Sequence, residues 1–534
     1  MTRMPSRLAG ILIPLFSMPS SESWGIGEIG DIPRLSRWLD RAALRLLQLL
    51  PINEMPPGET SPYSALSAMA IDPQFIGVER LEDFVATRAA QRLDGYLHER
   101  LEAVRNSPIV DYSNVRRLKE DALRRSFEHF RDIEWTSGTR RAAALRAYIG
   151  EQAWWLDDYA LFRALHAAHG ERPWTEWPEP LRGRVPDALA RVRVELADDI
   201  LYRQYLQWLA DDQWADARRD AGDVVLFGDL PFMVSGDSAD VWARQDEFHL
   251  DASVGVPPDA FSETGQDWAL PVYRWGVAAE RGFDWLRDRA RRNAVLFDGY
   301  RIDHLVGFYR TYFRPHDGSR PQFTPADEPA QAQLGERVLE VFRESGARIT
   351  AEDLGVVPEF VRESLARQGI PGYKVFRWER QWHQDGKPFK DPVDYPALGV
   401  ATSGTHDTEP MATWWEGASR PEREAVLAIP SLRARLADED RGRALETPGL
   451  SDALRAVFLE TLYGSGSDLL ILPIQDVFGW RDRINQPATV NASNWTWRLP
   501  WPVDRLSTEP AAMAVAAQLR EWARKYGRYV ESGK

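Results

Sequence analysis

Three stretches of the chain run into carboxylates: Gly299-Tyr300-Arg301-Ile302-Asp303-His304, Arg348-Ile349-Thr350-Ala351-Glu352-Asp353 and Ser403-Gly404-Thr405-His406-Asp407. Each reads as a short strand. Side chains alternate across a strand, so Arg301 and Asp303 share one face and Ile302 takes the other. By the same parity Thr350 and Glu352 lie together, opposite Ile349 and Ala351. Carboxylates gathered at strand ends can serve glycoside chemistry. One attacks an anomeric carbon, while a second protonates the leaving oxygen and later deprotonates the incoming hydroxyl. The attacking group must be ionised, and Arg301, on the face of Asp303, favours that state. The acid must keep its proton near neutral pH, and Glu352, beside Asp353 and facing further carboxylates, has surroundings that promote this. With His304 and His406 the same residues allow a second reading, a metal centre, since His and Asp at barrel strand ends are common ligands. Residues 11–16 offer no ligands and the chain has only nine histidines, which weighs against a metal. A single carboxylate after a strand is ordinarily a helix cap or an ion-pair partner; the coordinated occurrence of three, two of them beside a histidine, argues for a site.

A parallel barrel is the architecture that brings such strand ends together, because its loops expose one shared site at the carboxyl ends of the strands. Strand-like runs at 11–16, 46–51, 224–230, 373–378 and 468–473 join the three acidic stretches, and helix-compatible segments mostly separate them. The pattern predicts a (β/α)8 TIM barrel with inserted, mainly helical subdomains. Residues 1–80 supply the first strands and loops. Over 81–210 helical spacing replaces strand-like runs, as in Val115, Leu118, Ala122, Phe127 and Phe130, and again in Leu156, Tyr159, Ala160 and Leu165. This is a helical insertion within the barrel, which then occupies 211–534. Near the start, Asp31 and Pro33 open an amphipathic helix that carries Leu35, Trp38 and Leu39. Residues 251–272 show no periodicity and read as a lid-like loop, in which Phe261 and Trp268 can cover a site.

Bulk composition narrows the partners. Of 534 residues 44% are hydrophobic and 27% charged, as in soluble globular proteins, and 80 acidic against 66 basic residues leave a net charge of −14. That balance disfavours nucleic acid and anionic membranes, which need concentrated Lys and Arg. No apolar run is long enough to span a bilayer, and the short run at 8–16 is broken by Pro14, so a buried strand is expected there in place of a secretory leader. Cysteine is absent, which removes disulfides and thiolate chemistry and allows a reducing compartment. A cytoplasmic location is the expectation. The 22 tryptophans permit a large aromatic core, or indole faces stacked on sugar rings. Trp414 and Trp415 are assigned to packing. Asp229, after Leu226-Phe227-Gly228, suits either a structural anchor or a sugar contact.

Several motifs occur together in one order: Ser61-Pro62-Tyr63-Ser64-Ala65-Leu66-Ser67-Ala68, Gly228-Asp229-Leu230-Pro231, Asp237-Ser238-Ala239-Asp240-Val241-Trp242, Gly255-Val256-Pro257-Pro258-Asp259 and Phe261-Ser262-Glu263-Thr264-Gly265-Gln266. Arg301-Ile302-Asp303-His304, Ala351-Glu352-Asp353-Leu354-Gly355, Gly404-Thr405-His406-Asp407 and Asn485-Gln486-Pro487 follow. In this order they make the chain resemble, over nearly its whole length, the 4-α-glucanotransferases of the amylomaltase (disproportionating enzyme) family, a group like glycoside hydrolase family 77. The resemblance implies a barrel with inserted subdomains, no cofactor and no metal. It also implies retaining transfer of α-1,4-glucan segments between maltooligosaccharides, or to glucose as acceptor, through a covalent glucosyl-Asp intermediate. Matched residue by residue, Asp303 stands as nucleophile, Glu352 as acid/base and Asp407 as transition-state stabiliser, assisted by Arg301, His304 and His406. Tyr63, Asp259, Gln266, Trp268 and Asn485 match positions that line sugar subsites. Departures are Ala260, where relatives usually carry an aromatic, Ala269-Leu270, where they usually carry Gly-Asn, Thr408-Glu409, where many differ, and Trp378, where a smaller aromatic is common. Three rival activities are an α-glucan hydrolase with the same trio, a silent glucan-binding protein and a metal-dependent hydrolase. The expected assembly is a monomer or weak homo-oligomer.

Overall fold

The computed structural model describes residues 7–90, 95–258, 265–487, 489 and 491–529. Eight strands close into a barrel in chain order: β1 (Leu8–Leu12), β2 (Leu46–Gln48), β3 (Val225–Leu230), β4 (Gly299–Ile302), β5 (Arg348–Ala351), β6 (Gly372–Val375), β7 (Gly399–Thr402) and β8 (Leu469–Pro473). Every neighbouring pair is parallel, and β8 closes on β1 with Leu8 opposite Leu469 and Leu12 opposite Pro473. Both faces of each strand are covered, so β1 and β8 are buried at all five positions and read as unbroken apolar runs. This is the TIM-barrel fold predicted above.

The first, second and sixth strands end three or four residues before expectation and the seventh lies ahead of 403–407, and local backbone chemistry explains the first and the seventh. The first strand ends at Leu12 instead of continuing through 16. Pro14 has no N–H to give a ladder and opens the single turn Leu15–Ser17. The seventh ends at Thr402, and 403–407 is a turn. There Thr402 Oγ1 donates to the Gly404 carbonyl at 2.6 Å, and Thr408 Oγ1 accepts from the Thr405 N–H at 2.9 Å. Side chains that bond to nearby backbone in this way compete with a ladder.

Between β2 and β3 the chain is helical, with long helices Tyr112–His129, Arg140–Ala168 and Ala197–Asp220. The stripe Val115, Leu118, Ala122 and Phe127 is buried as its spacing predicts. Buried polar links fasten these helices to the barrel loops. Lys119 Nζ lies 2.7 Å from Glu28 and 2.7 Å from the Ile76 carbonyl, and Glu54, after β2, pairs with Arg163 at 2.9 Å and accepts from Tyr159. The helix expected after Asp31 runs Ile32–Arg41 and buries Leu35, Trp38 and Leu39.

The described residues of 251–272 form more regular structure than the sequence suggests. Ala252–Val256 and Gln266–Asp267 are strands of an antiparallel sheet whose other members are Thr311–Pro315 and Gln322–Thr324. Ala, Ser and Gly at 252, 253 and 255 hide a strand in which Ala252 and Val254 are nevertheless buried. Trp414 and Trp415 pack in the core. No helix among the described residues is long and apolar enough to cross a membrane.

Candidate active site

The site is built at the carboxyl ends of β3, β4 and β5 and on the turn after β7. Parallel register sets Asp229 of β3 opposite Arg301 of β4, and Thr350 of β5 opposite Arg301 on its other side. Arg301 points inward, almost fully buried, and spends its donors on two acids. Its Nη1 lies 2.8 and 2.6 Å from the carboxylate oxygens of Asp229, and its Nη2 is 2.7 Å from Asp303 Oδ1. The parity read from sequence is therefore realised, and Asp303 takes its cation from two residues upstream. Asp303 keeps part of its side chain exposed, whereas the Asp229 side chain has none.

A relay of polar side chains continues from Asp229. Tyr63 Oη donates to Asp229 Oδ2 at 2.7 Å and lies 3.1 Å from His406 Nε2. Tyrosine has one hydroxyl proton, and it goes to Asp229. His406 Nε2 must then carry the hydrogen toward Tyr63 and toward Asp407 Oδ2, 3.3 Å away. Asn485 Nδ2 donates to Asp407 Oδ1 at 2.6 Å, and Arg483 donates to the Asp407 carbonyl. The rings of Tyr63, His406 and Trp495 pack on one another, with centroids 5.5 to 5.8 Å apart.

Glu352 follows β5 directly. Its Oε2 accepts the His304 N–H at 2.9 Å and its Oε1 the Leu354 N–H at 3.1 Å. His304 adopts φ +42°, a left-handed conformation uncommon outside glycine, and this turn is what aims its N–H at Glu352. The His304 ring is boxed in by Trp268, centroid 4.8 Å away, and Phe232 at 5.8 Å. Trp268 Nε1 in turn donates to Gln266 Oε1 at 3.1 Å. A Cβ on Gly307 would sit 2.6 Å from the Phe232 ring, so a side chain there would push Phe232 from its place against His304.

The charges are tuned in opposite senses. Burial raises Glu352, Arg301 opposes it and Asp303 adds to it, and the carboxyl is pushed up to about 7. Burial likewise raises Asp229 against the pull of Arg301, and it pushes the Tyr63 hydroxyl well above its ordinary value. Burial alone would raise Asp407, but His406 and the Asn485 amide more than offset it and hold the acid below the usual carboxylate range. His406 is lifted by Asp407 despite its burial, while burial pushes His304 down toward the neutral ring.

Of the residues singled out from sequence, Tyr63, Asp229, Arg301, Asp303, His304, Glu352, His406, Asp407, Asn485, Gln266 and Trp268 fall into this one contiguous network. Asp259 and Phe261 lie outside the described residues. Asp353 departs from expectation. It turns away from Glu352, accepts the Tyr373 N–H at 2.7 Å and faces Lys374 at 3.8 Å. The elevation of Glu352 thus comes from burial and Asp303. Sequence reasoning passed over Phe232, Arg483 and Trp495. The one signal for the last was its aromatic-rich setting, Asn494-Trp495-Thr496-Trp497.

The comparisons with known proteins agree with one another. The family model described as 4-alpha-glucanotransferase matches residues 13–504. A 4-alpha-glucanotransferase of Thermus thermophilus is 34% identical over 92% of this chain and 95% of its own length. One of Chlamydia pneumoniae is 31% identical over 93% and 92%. Among solved structures, amylomaltase from Streptococcus agalactiae in complex with acarbose superposes with a TM-score of 0.82 at 27% identity, covering 98% of this chain and all of that one. Amylomaltase from Corynebacterium glutamicum gives 0.79 at 25% identity, over 96% of this chain and 75% of that one. The chain is a member of the 4-alpha-glucanotransferase family.

Proposed function

We propose that this enzyme transfers α-1,4-glucan segments by double displacement, with Asp303 as nucleophile, Glu352 as acid/base and Asp407 as stabiliser of the distorted sugar. The observation that carries the assignment is the contrast between the two acids. Asp303 is bonded to a permanent cation, whereas Glu352 is held up to about 7 by burial and by Asp303 itself. An aspartate paired with a buried arginine, beside a carboxyl group raised toward its protonated form, is the arrangement that suits retaining glycosyl transfer. Asp303 attacks C1 of the glucose unit while the C1–O4 bond breaks and Glu352 gives its proton to the departing O4. Glu352, now ionised, takes the proton from the 4-hydroxyl of an incoming glucan or glucose, whose oxygen displaces Asp303 and restores the α-configuration. Asp407, kept anionic by His406 and Asn485, accepts hydroxyls of the ring as it flattens toward the oxocarbenium ion.

Transfer in place of hydrolysis needs water kept from the intermediate. Trp268 against His304, on the segment 251–272, supports that segment as the cover. Maltooligosaccharides and longer α-1,4-glucans are the donors in this reading. The absence of cysteine suits work in the cytoplasm, as a monomer or weak homo-oligomer.

Incubating the purified enzyme with maltotriose tests the proposal. A ladder of longer maltooligosaccharides with free glucose is expected. Glucose and maltose alone would mark a hydrolase.

A further inference from the structure

The other end of the barrel holds a cavity of ≈ 250 Å³ where β5, β7 and β8 begin. Its wall carries unmatched charge. Arg348, the first residue of β5, is half-buried, and Arg343 stands in the last turn of the helix Glu328–Glu344. Among the described residues neither guanidinium has a hydrogen bond or a close ion pair, although the neighbouring charges of that helix do. Arg337 meets Glu340 at 2.9 Å, and Glu344 meets Arg287 at 3.0 Å. Asp468, just before β8, is the one acid on the wall. It acts on Arg348 without contact, and burial still pushes Arg348 below its ordinary pKa. Ile370 and Leu398 supply apolar surface beside these groups.

Each of these features asks for a particular ligand group. A half-buried guanidinium such as Arg348 without an acceptor is costly, and together with the exposed Arg343 beside it suits the oxygens of a phosphate. The Asp468 carboxylate is an acceptor, so a bare anion is repelled by it, whereas a hydroxyl group satisfies it. The volume falls below the ~300–1,000 Å³ of sites for drug-sized ligands, which points to a monosaccharide-sized molecule. We propose that the amino-terminal mouth of the barrel binds a phosphorylated monosaccharide, with its phosphate on Arg343 and Arg348 and a hydroxyl on Asp468. The site is separate from the carboxylate network at the opposite end, and its occupation does not depend on the transfer mechanism.

Isothermal titration of the full chain with glucose 6-phosphate, inorganic phosphate and glucose tests this. Glucose 6-phosphate is expected to bind at least about tenfold more tightly than either half alone, since charge-assisted bonds are worth that much or more. Arg348→Ala is expected to weaken it by a further factor of about ten, with transfer from maltotriose unchanged as the sign of an intact fold. Arg343→Glu, on the exposed helix surface, gives the same readout should Arg348→Ala fail to fold. Inorganic phosphate binding as well as glucose 6-phosphate would overturn the sugar half. Absence of binding, or binding indifferent to the folded variants, would overturn the site.

Discussion

Arg301 at the carboxyl end of the barrel and Arg528 at the amino end are both almost wholly buried, yet they are held by different kinds of partner. Arg301 is bonded to two carboxylates, Asp229 and Asp303, and its charge is felt by Glu352 as well. Among the described residues Arg528 meets no carboxylate. It donates to the carbonyls of Tyr463 at 2.8 Å, Ser467 at 2.8 Å, Asp468 at 3.1 Å, Ser465 at 3.2 Å and Leu8 at 3.4 Å, and to Ser465 Oγ at 3.0 Å. Those carbonyls belong to the start of β1 and the approach to β8, the seam where the barrel closes. Burial accordingly pushes Arg528 below its ordinary pKa, while the two acids carry Arg301 above its own. The same side chain thus fixes charge where bonds are to be broken, and fixes backbone where the fold must close. Substitutions at the first end should abolish turnover and spare the fold, and those at the second should do the reverse.

The largest expected effect is at Asp303. Asp303→Asn keeps the shape and removes the proposed nucleophile, so transfer from maltotriose should fall by on the order of 10⁴-fold or more. Its thermal unfolding should stay close to that of the parent. A variant that retains a tenth of the rate would show that another group attacks.

Glu352 comes next, with two readouts. Glu352→Gln should lose about 10²–10⁴-fold on maltotriose, the usual contribution of a general acid. A maltosyl fluoride donor, whose leaving group needs no proton, should recover most of the first step. In the parent enzyme, activity should decline as pH rises through about 7, because the acid loses its proton there. The stability consequence follows from the same elevation. The folded state holds this proton more tightly than the unfolded chain, so the contribution of Glu352 is complete below the ordinary carboxylate pKa and is lost as pH climbs to about 7. Glu352→Gln should therefore gain stability relative to the parent between pH 5 and pH 8. A flat difference across that range would remove burial as the cause of the shift.

Much of this end of the molecule is legible in the sequence, for a physical reason. Strand parity is rigid, so Arg301 and Asp303 had to share a face once β4 was recognised. The turn at 403–407 was not legible, because Thr402 and Thr408 decide it through side-chain bonds that look like β-branched strand residues in sequence. Asp353 was misread for a related reason, since adjacent residues after a strand diverge and it serves the Tyr373 N–H. Phe232 and Trp495 reach the site only through tertiary packing. At the amino end almost nothing was legible. Arg528 finds acceptors on segments far apart in the chain, and a carbonyl acceptor leaves no trace in side-chain identity.

Arg528→Met tests the closing seam. The aliphatic body is kept, but several carbonyls lose their donor, and a loss on the order of 3 kcal/mol is expected. It should appear as a lower urea midpoint, with transfer per folded molecule unchanged. An equal fall in specific activity would mean that the two ends are coupled and would break the contrast drawn above.

The smallest effect concerns Ala269, next to Trp268 on the segment over the site. It sits at φ +54°, where a Cβ crowds the backbone, and the Asp267 carboxylate holds it there by accepting its N–H at 2.8 Å. The resemblance noted from sequence placed glycine at this position in relatives, and the observed angle supplies the reason. Ala269→Gly relieves the strain but gives back part of the gain through the freer unfolded chain, leaving a net stabilisation of ~0.5 kcal/mol. Slower proteolysis across 265–272 is the sensitive readout, since the change is confined to the catalytic end and the amino-end seam should not respond. Faster cleavage there would mean that the turn depends on the alanine methyl group, and that the strain is offset by packing against the cover.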